Sequence, residues 1–256
     1  MKNFRRLKKI ILTALWSSSL LVFVFLFSLG RNKWKATAFC SRCARFWARG
    51  MARILNMKIT VCGDPSSAAG KLVLSNHLGY LDIIAEGTLF PLRFAPKAEM
   101  RKWPFFGPLV AVSRPVWIDR KNRIRAAQTA GEIADTLKND LSMLVYPEGT
   151  STDGKNGLLP FKSTAFESVL NTDVSMLPVL VTHKESPEGS FDPAWYGDIS
   201  FLPHVWGVLG LKEIHTCVYI MQVEDHLPGE DRKSLASRMH DLMDGEYRRI
   251  CALSRS

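Results

Sequence analysis

Between residues 10 and 30 the chain carries no charged side chain. A run of about 20 apolar residues is long enough to cross the hydrocarbon core of a bilayer, and in water it needs a membrane or an extensive apolar partner. Basic side chains stand on both sides of it: Lys2, Arg5, Arg6, Lys8 and Lys9 before, Arg31, Lys33 and Lys35 after. A cleaved signal peptide would need a small-residue cleavage site, and Ser28-Leu29-Gly30 followed by Arg31 is a poor one. Two readings remain. One is a spanning helix, whose orientation the charges on both flanks leave undecided. The other is a monotopic anchor that dips into one leaflet and returns, leaving both basic flanks on the cytoplasmic surface.

The next stretch, 34–57, repeats Phe39, Cys43, Phe46, Gly50 and Ile54 at helical spacing, with Trp47 and Met51 beside them, while Arg42, Arg45, Arg49 and Arg53 recur every three or four residues. Such a helix can lie in the membrane interface with its arginines on anionic lipid headgroups, or pack as an amphipathic helix against a globular domain. The charge distribution separates lipid from nucleic acid as the partner. Residues 1–53 hold twelve Lys or Arg and no Asp or Glu, and the remaining chain is close to neutral. The net charge of +10 therefore belongs to one end, interleaved with apolar sequence, which points to anionic lipid and not to a nucleic-acid groove. Five scattered cysteines do not suggest a disulfide framework, and Cys40-x-x-Cys43 lacks the further ligands a metal centre needs.

From residue 58 onward the composition is that of a globular α/β protein, and 256 residues suffice for one large domain with a short appendage. Strands are predicted at 59–62, 72–74, 92–95, 115–118, 141–146, 176–182 and 214–223, and helices at 81–90, 121–137, 163–170 and 232–250. The alternation predicts an α/β fold: a largely parallel central sheet with helices on both faces, preceded by the membrane-anchoring helical segment. The expected division is 1–57 for the anchor and 58–256 for the globular domain. Residues 185–204, rich in Pro, Gly and Trp, read as an irregular excursion.

Three predicted strands end in polar corners. Leu72-Val73-Leu74 leads into Ser75-Asn76-His77-Leu78-Gly79, and Asp82 follows five residues after His77. In an unbroken α-helix those two side chains would point roughly 140° apart and could not meet. With His77 on the loop after the strand and Asp82 in the first turn of the next helix, the carboxylate reaches one imidazole nitrogen, orients the ring and stabilises its protonated form. The plainer alternative has His77 capping a turn and Asp82 favouring the positive helix end. The second corner, Val116-Trp117-Ile118-Asp119-Arg120, places at Arg120 a fork of donors suited to phosphate or carboxylate. The third, Tyr146-Pro147-Glu148-Gly149-Thr150-Ser151, brings together a carboxylate, a glycine and two hydroxyls, and runs on to Phe161-Lys162-Ser163, where Ser163 is placed to cap a helix. His183, His204, His215, His226 and His240 lack ligand spacing, no metal cluster is visible, and these five read as structural or surface residues.

Taken together and in order, these blocks resemble the family of glycerolipid acyltransferases that includes the enzymes making phosphatidic acid from lysophosphatidic acid. The family's Asn-His-x4-Asp block is matched by Asn76, His77 and Asp82. Its Gly followed by an apolar segment ending in Arg is similar to Gly107 through Arg120. Its aromatic-Pro-Glu-Gly-Thr block is similar to Tyr146 through Thr150, with Phe161, Lys162 and Phe166 downstream, and its Pro within an apolar strand corresponds to Pro178. The likeness spans roughly residues 58–185.

The resemblance implies direct acyl transfer from acyl-CoA or acyl carrier protein, as donor substrate and without a cofactor, to the hydroxyl of a lysolipid, first of all 1-acylglycerol-3-phosphate. His77 is then the general base and Asp82 its partner, with Asn76, Arg120, Glu148, Gly149, Thr150, Ser151 and Lys162 around the substrate. One departure matters: the family commonly carries Arg after the Thr of the third block, where this chain has Ser151. The continuation Ser-Thr-Asp-Gly looks more like members acting on other lysolipids, including lyso-ornithine lipid. Two further readings use the same residues or none of them: lipid hydrolysis, and a silent membrane scaffold.

Overall fold

The computed structural model describes residues 2–104, 106–119, 123–184 and 191–253, with the backbone alone at 123–126. Helices α1 (Lys2–Ser28) and α2 (Lys33–Leu55) precede strand β1 (Met57–Cys62). Then come β2 (Leu72–Ser75), α3 (Tyr80–Leu89), β3 (Arg93–Phe94), α4 (Phe106–Val112), α5 (Arg123–Lys138) and β4 (Met143–Val145). The chain closes with α6 (Phe166–Leu170), β5 (Met176–His183), α7 (Phe201–Leu209), β6 (Ile214–Ile220) and α8 (Arg232–Leu253).

The six strands form one sheet in the order β1-β6-β5-β2-β4-β3. Every pairing is parallel except β5 with β6. Side chains alternate between two cores. Val73, Leu144, Leu177, Val179 and Val181 pack under α2, α3 and α7. Leu72, Leu74, Met143, Val145, Met176 and Leu180 pack on the other face under α5, α6 and α8. All four residues of β2 are buried, as expected for a strand covered on both sides. A side chain as deeply placed as Leu72 or Leu74 contributes about 1.5–3 kcal/mol by leaving water.

α1 and α2 form an antiparallel hairpin. Val24 packs with Cys40 and Cys43, the Trp16 indole donates to the Trp47 carbonyl (3.1 Å), and buried Lys9 donates to the carbonyls of Leu55 (3.0 Å) and Leu211 (2.8 Å). Asn32 opens α2 by accepting the N–H groups of Trp34 and Lys35, and Asn56, left-handed at φ 59°, closes it directly into β1. The α2 residues Met51, Ala52 and Leu55 belong to the sheet's own core.

Four predicted elements differ. Segment 115–118 makes a single parallel bridge, Ile118 with Lys97, because it follows the short edge strand β3 and pairs with nothing longer. Only Arg93–Phe94 of the predicted strand 92–95 is a strand. The helix expected over 163–170 shortens to Phe166–Leu170, with Ala165 at its N-cap and no side-chain cap, so Ser163 does not cap it. Of the region read as irregular at 185–204, residues 185–190 lie outside the described residues and 201–204 begin α7, and α4 was not foreseen; both are short apolar helices without a polar face to give them periodicity.

Candidate active site

Because β2 runs parallel to both β4 and β5, the C-terminal ends of all three strands open on the same edge of the sheet. Asn76 sets the first corner. It is fully buried, its side-chain amide donates to the Val181 carbonyl (3.0 Å), and its side-chain oxygen accepts the Val181 N–H (2.7 Å). The side chain thus prolongs the β2–β5 pairing by one step after the strand has ended and holds the following loop against β5.

His77 comes next, and its N–H donates to the Glu148 carboxylate (2.9 Å). Glu148 is buried, its second oxygen accepts the Leu159 N–H (2.9 Å), and burial raises its carboxyl above the ordinary value against those two hydrogen bonds. The His77 carbonyl accepts the Thr152 N–H (2.9 Å). The first and third corners are therefore tied together by backbone on both sides of His77. Tyr146 lies flat on the imidazole, ring centroids 4.0 Å apart and planes 16° from parallel.

The chain turns at Gly79, whose φ of 151° favours glycine and whose Cβ would press on the Trp195 backbone. This turn lets α3 begin at Tyr80 and places Asp82 in its first turn. Asp82 is fully buried. One oxygen, Oδ2, accepts from His77 Nδ1 (2.9 Å), Leu78 N–H (2.6 Å) and Gly79 N–H (2.8 Å). Burial alone would raise this carboxyl; the hydrogen bonds and charge of His183 and His77 outweigh it and hold it well below the carboxylate range. His77 Nε2 makes no hydrogen bond among the described residues, and the side chain is 19% exposed. The imidazole is thus oriented from behind and open in front, the arrangement of a general base.

Two neighbours were not identified from the sequence. His183, read there as structural or surface, ends β5 with its side chain buried and donates from Nε2 to Asp82 Oδ1 (2.8 Å). Its separation of 101 residues from Asp82 leaves no local signal to find it by. Glu86 lies one helical turn beyond Asp82, a spacing that did announce a shared face. It is fully buried, accepts the Tyr146 hydroxyl (2.6 Å), and burial pushes its carboxyl up to about 8. Tyr146 thereby links Glu86 to the face of His77.

The remaining expected site residues spread around this corner. Gly149 is buried with φ 79°, Thr150 is exposed, Ser151 is half-buried, and Lys162 is exposed with its N–H on the Pro147 carbonyl (2.8 Å). Arg120 lies outside the described residues.

A sequence model described as acyltransferase matches residues 58–182, the span that carries all of these corners. Over 238 residues the chain is 30% identical to the lyso-ornithine lipid O-acyltransferase of Brucella abortus, covering 88% of this chain and 87% of that protein. The chain belongs to the acyltransferase family. This acyltransferase is also 26% identical to the 1-acyl-sn-glycerol-3-phosphate acyltransferase of Neisseria meningitidis, over 93% of the chain and 91% of the relative. A shorter alignment with the lyso-ornithine lipid O-acyltransferase of Rhodobacter capsulatus reaches 37% identity over 62% and 58% of the two chains. The fold is similar to that of the crystal structure of the 1-acyl-sn-glycerophosphate (LPA) acyltransferase PlsC from Thermotoga maritima, with a TM-score of 0.68, 98% of both chains aligned and 20% identity. That likeness takes in the α1–α2 hairpin as well as the sheet.

Proposed function

We propose that this acyltransferase moves an acyl group from the thioester of acyl-CoA or acyl carrier protein to the free hydroxyl of a lysolipid at a membrane surface, with residues 1–57 as anchor and 58–256 as catalytic domain. The observation that carries the reading is His77, held at Nδ1 by buried Asp82 and open at Nε2. Nε2 takes the acceptor's hydroxyl proton as the oxygen attacks the thioester carbonyl carbon. The tetrahedral intermediate collapses with cleavage of the C–S bond, and the imidazolium returns its proton to the leaving thiolate. The N–H groups of His77, Leu78 and Gly79 are engaged by carboxylates and that of Gly149 by the Tyr146 carbonyl, so the backbone N–H groups of Thr150 and Ser151 are the donors we assign to the developing oxyanion.

The family motifs favour 1-acylglycerol-3-phosphate as acceptor. Ser151 favours a second reading, lyso-ornithine lipid, because it removes an Arg suited to a phosphate monoester; Lys162 and Arg120 then supply the remaining positive charge. The relatives named for lyso-ornithine lipid are 26–37% identical and those named for 1-acyl-sn-glycerol-3-phosphate 26–32%, so Ser151, and not overall identity, carries this second reading.

Both ends of the hairpin are basic, and α2 carries arginine along its length, which disfavours a crossing. Arg45 and Arg49 donate to the Thr88 carbonyl at the end of α3, so that part of α2 packs on the catalytic domain. The exposed apolar side of α1, including Phe4, Leu7, Leu15, Val22, Phe25 and Phe27, is left for the acyl chains. We therefore read the hairpin as monotopic, lying in the cytoplasmic leaflet.

Purified protein should acylate lysophosphatidic acid or lyso-ornithine lipid with acyl-CoA or acyl carrier protein as donor. His77→Ala should reduce turnover by at least about a thousandfold, on the scale of losing a general base together with its positioning. Substantial residual transfer by that variant would reject the assignment, and free fatty acid as the sole product would mean hydrolysis.

A further inference from the structure

The two oxygens of Asp82 are supported unequally. Oδ2 accepts from His77 and from the N–H groups of Leu78 and Gly79, whereas Oδ1 accepts from His183 Nε2 alone among the described residues. Bulk water does not reach that oxygen, since Asp82 is fully buried and the His183 side chain only 2% exposed. Other acidic groups crowd the same pocket: Glu86 on α3 and Glu148 from the loop after β4 are both buried. A carboxylate oxygen left without a donor there would be strongly disfavoured. It would be relieved by taking a proton or by rotating, and either response loosens its hold on the His77 imidazolium.

His183 is itself fixed in place. In the antiparallel register of β5 and β6 it sits opposite Thr216, and its Nδ1 lies 2.9 Å from the Thr216 hydroxyl, which is fully buried. Because an ionised Asp82 can only accept, His183 must carry its proton on Nε2, and in the neutral ring Nδ1 then accepts from Thr216. The result is a continuous chain from Thr216 through His183 and Asp82 to His77, running from the sheet's single antiparallel pairing to the open face of the site.

We propose that His183 is a positioning residue for acyl transfer, holding Oδ1 of Asp82 so that Oδ2 stays turned to Nδ1 of His77, with Thr216 fixing the His183 ring. The proposal rests on the reading of His77 as the base. It assigns to the C-terminal end of β5 a part in catalysis that lies one residue beyond the span matched to the family.

The test compares His183→Leu, His183→Gln and Thr216→Val in the full chain, with the donor and acceptor the wild type uses. The Leu variant should lose about 10–100-fold in kcat, the scale seen when a supporting hydrogen bond behind a ligand is removed, with KM for both substrates changed by no more than about twofold. Gln places an N–H where His183 Nε2 stands and should restore kcat to within about threefold, and Thr216→Val should fall between them. Wild-type kcat in the Leu variant, or a Gln variant as impaired as Leu, would overturn the proposal. A readout independent of turnover is the proton NMR signal of His77 Nδ1–H, assigned by its absence in His77→Ala. It should persist in the Gln variant and shift or broaden in the Leu variant; an unchanged signal in the Leu variant would also overturn the proposal. If the wild type acylates no lysolipid, the proposed function fails, and the NMR comparison still decides the role of His183.

Discussion

Two carboxyl groups one helical turn apart on α3, Asp82 and Glu86, are both fully buried, yet their proton occupancies are opposite. Asp82 is ionised because four donors converge on it. Glu86 has the Tyr146 hydroxyl on one oxygen and, among the described residues, no hydrogen bond of good geometry on the other, the nearby Ser75 hydroxyl being turned to the Asn76 carbonyl, so burial, with Asp82's charge beside it, keeps it neutral up to about pH 8. The sign for stability follows from comparing states. Unfolded Glu86 releases its proton near about pH 4.3, whereas folded Glu86 keeps it to about 8, so the folded state binds the extra proton between these values and stability falls as pH rises through them. Glu86→Gln mimics the neutral acid and removes that slope. Thermal or urea unfolding at about pH 6 and about pH 9 should find the variant gaining on the wild type by on the order of 2 kcal/mol at the higher pH. An unchanged gap would mean that Glu86 is ionised in the fold. At Asp82, exchange for Asn retains the volume but removes the acceptor that sets the His77 tautomer. Steady-state assays should find kcat lowered by roughly a thousandfold or more.

Among the elements, β2 with its corner was the most legible. A short apolar run ending in Asn-His, with Asp five residues on, predicted a strand, a loop and a first helical turn, and Leu72–Ser75 and Tyr80–Leu89 follow that plan. The edge of the sheet was less legible: 92–95 and 115–118 carry the same apolar composition as interior strands, but whether such a segment becomes a strand depends on the partner beside it. Helix α2 shows the same dependence. Its row of arginines was open to two readings, and Arg45 and Arg49 meet the carbonyl end of α3. The α1–α2 contact makes a separate prediction. A Cβ at Gly50 would overlap the Trp16 ring, so Gly50→Ala should destabilise the hairpin by about 1–3 kcal/mol, seen as a lower thermal midpoint, unless Trp16 can move aside. In a Trp16→Ala background the same Gly50→Ala exchange should cost less than it does in the wild type, because the clash is then gone.

At the scale of the whole molecule, a monotopic hairpin places both chain termini on one side of the bilayer. Tags at the two ends, probed by a membrane-impermeant label in intact spheroplasts, should be protected together and become reactive together on lysis. Labelling of the N-terminal tag alone before lysis would establish a spanning helix instead. The amino-acid sequence by itself determined the parts decided over short distances: the apolar runs of the inner strands β2, β4 and β5, the basic apolar start, and the order of the corner residues His77, Arg120 and Glu148. Tertiary structure alone decided what those corners touch. Parallel pairing of β2 with β4 and β5 brings Tyr146, Glu148 and His183 around Asn76, His77 and Asp82, and burial then separates the proton occupancies of Asp82 and Glu86. The physical reason is that sequence spacing constrains geometry only over a few residues, whereas hydrogen bonds and desolvation depend on neighbours that arrive from 60 to more than 100 positions away, as Tyr146 does for Glu86 and His183 for Asp82.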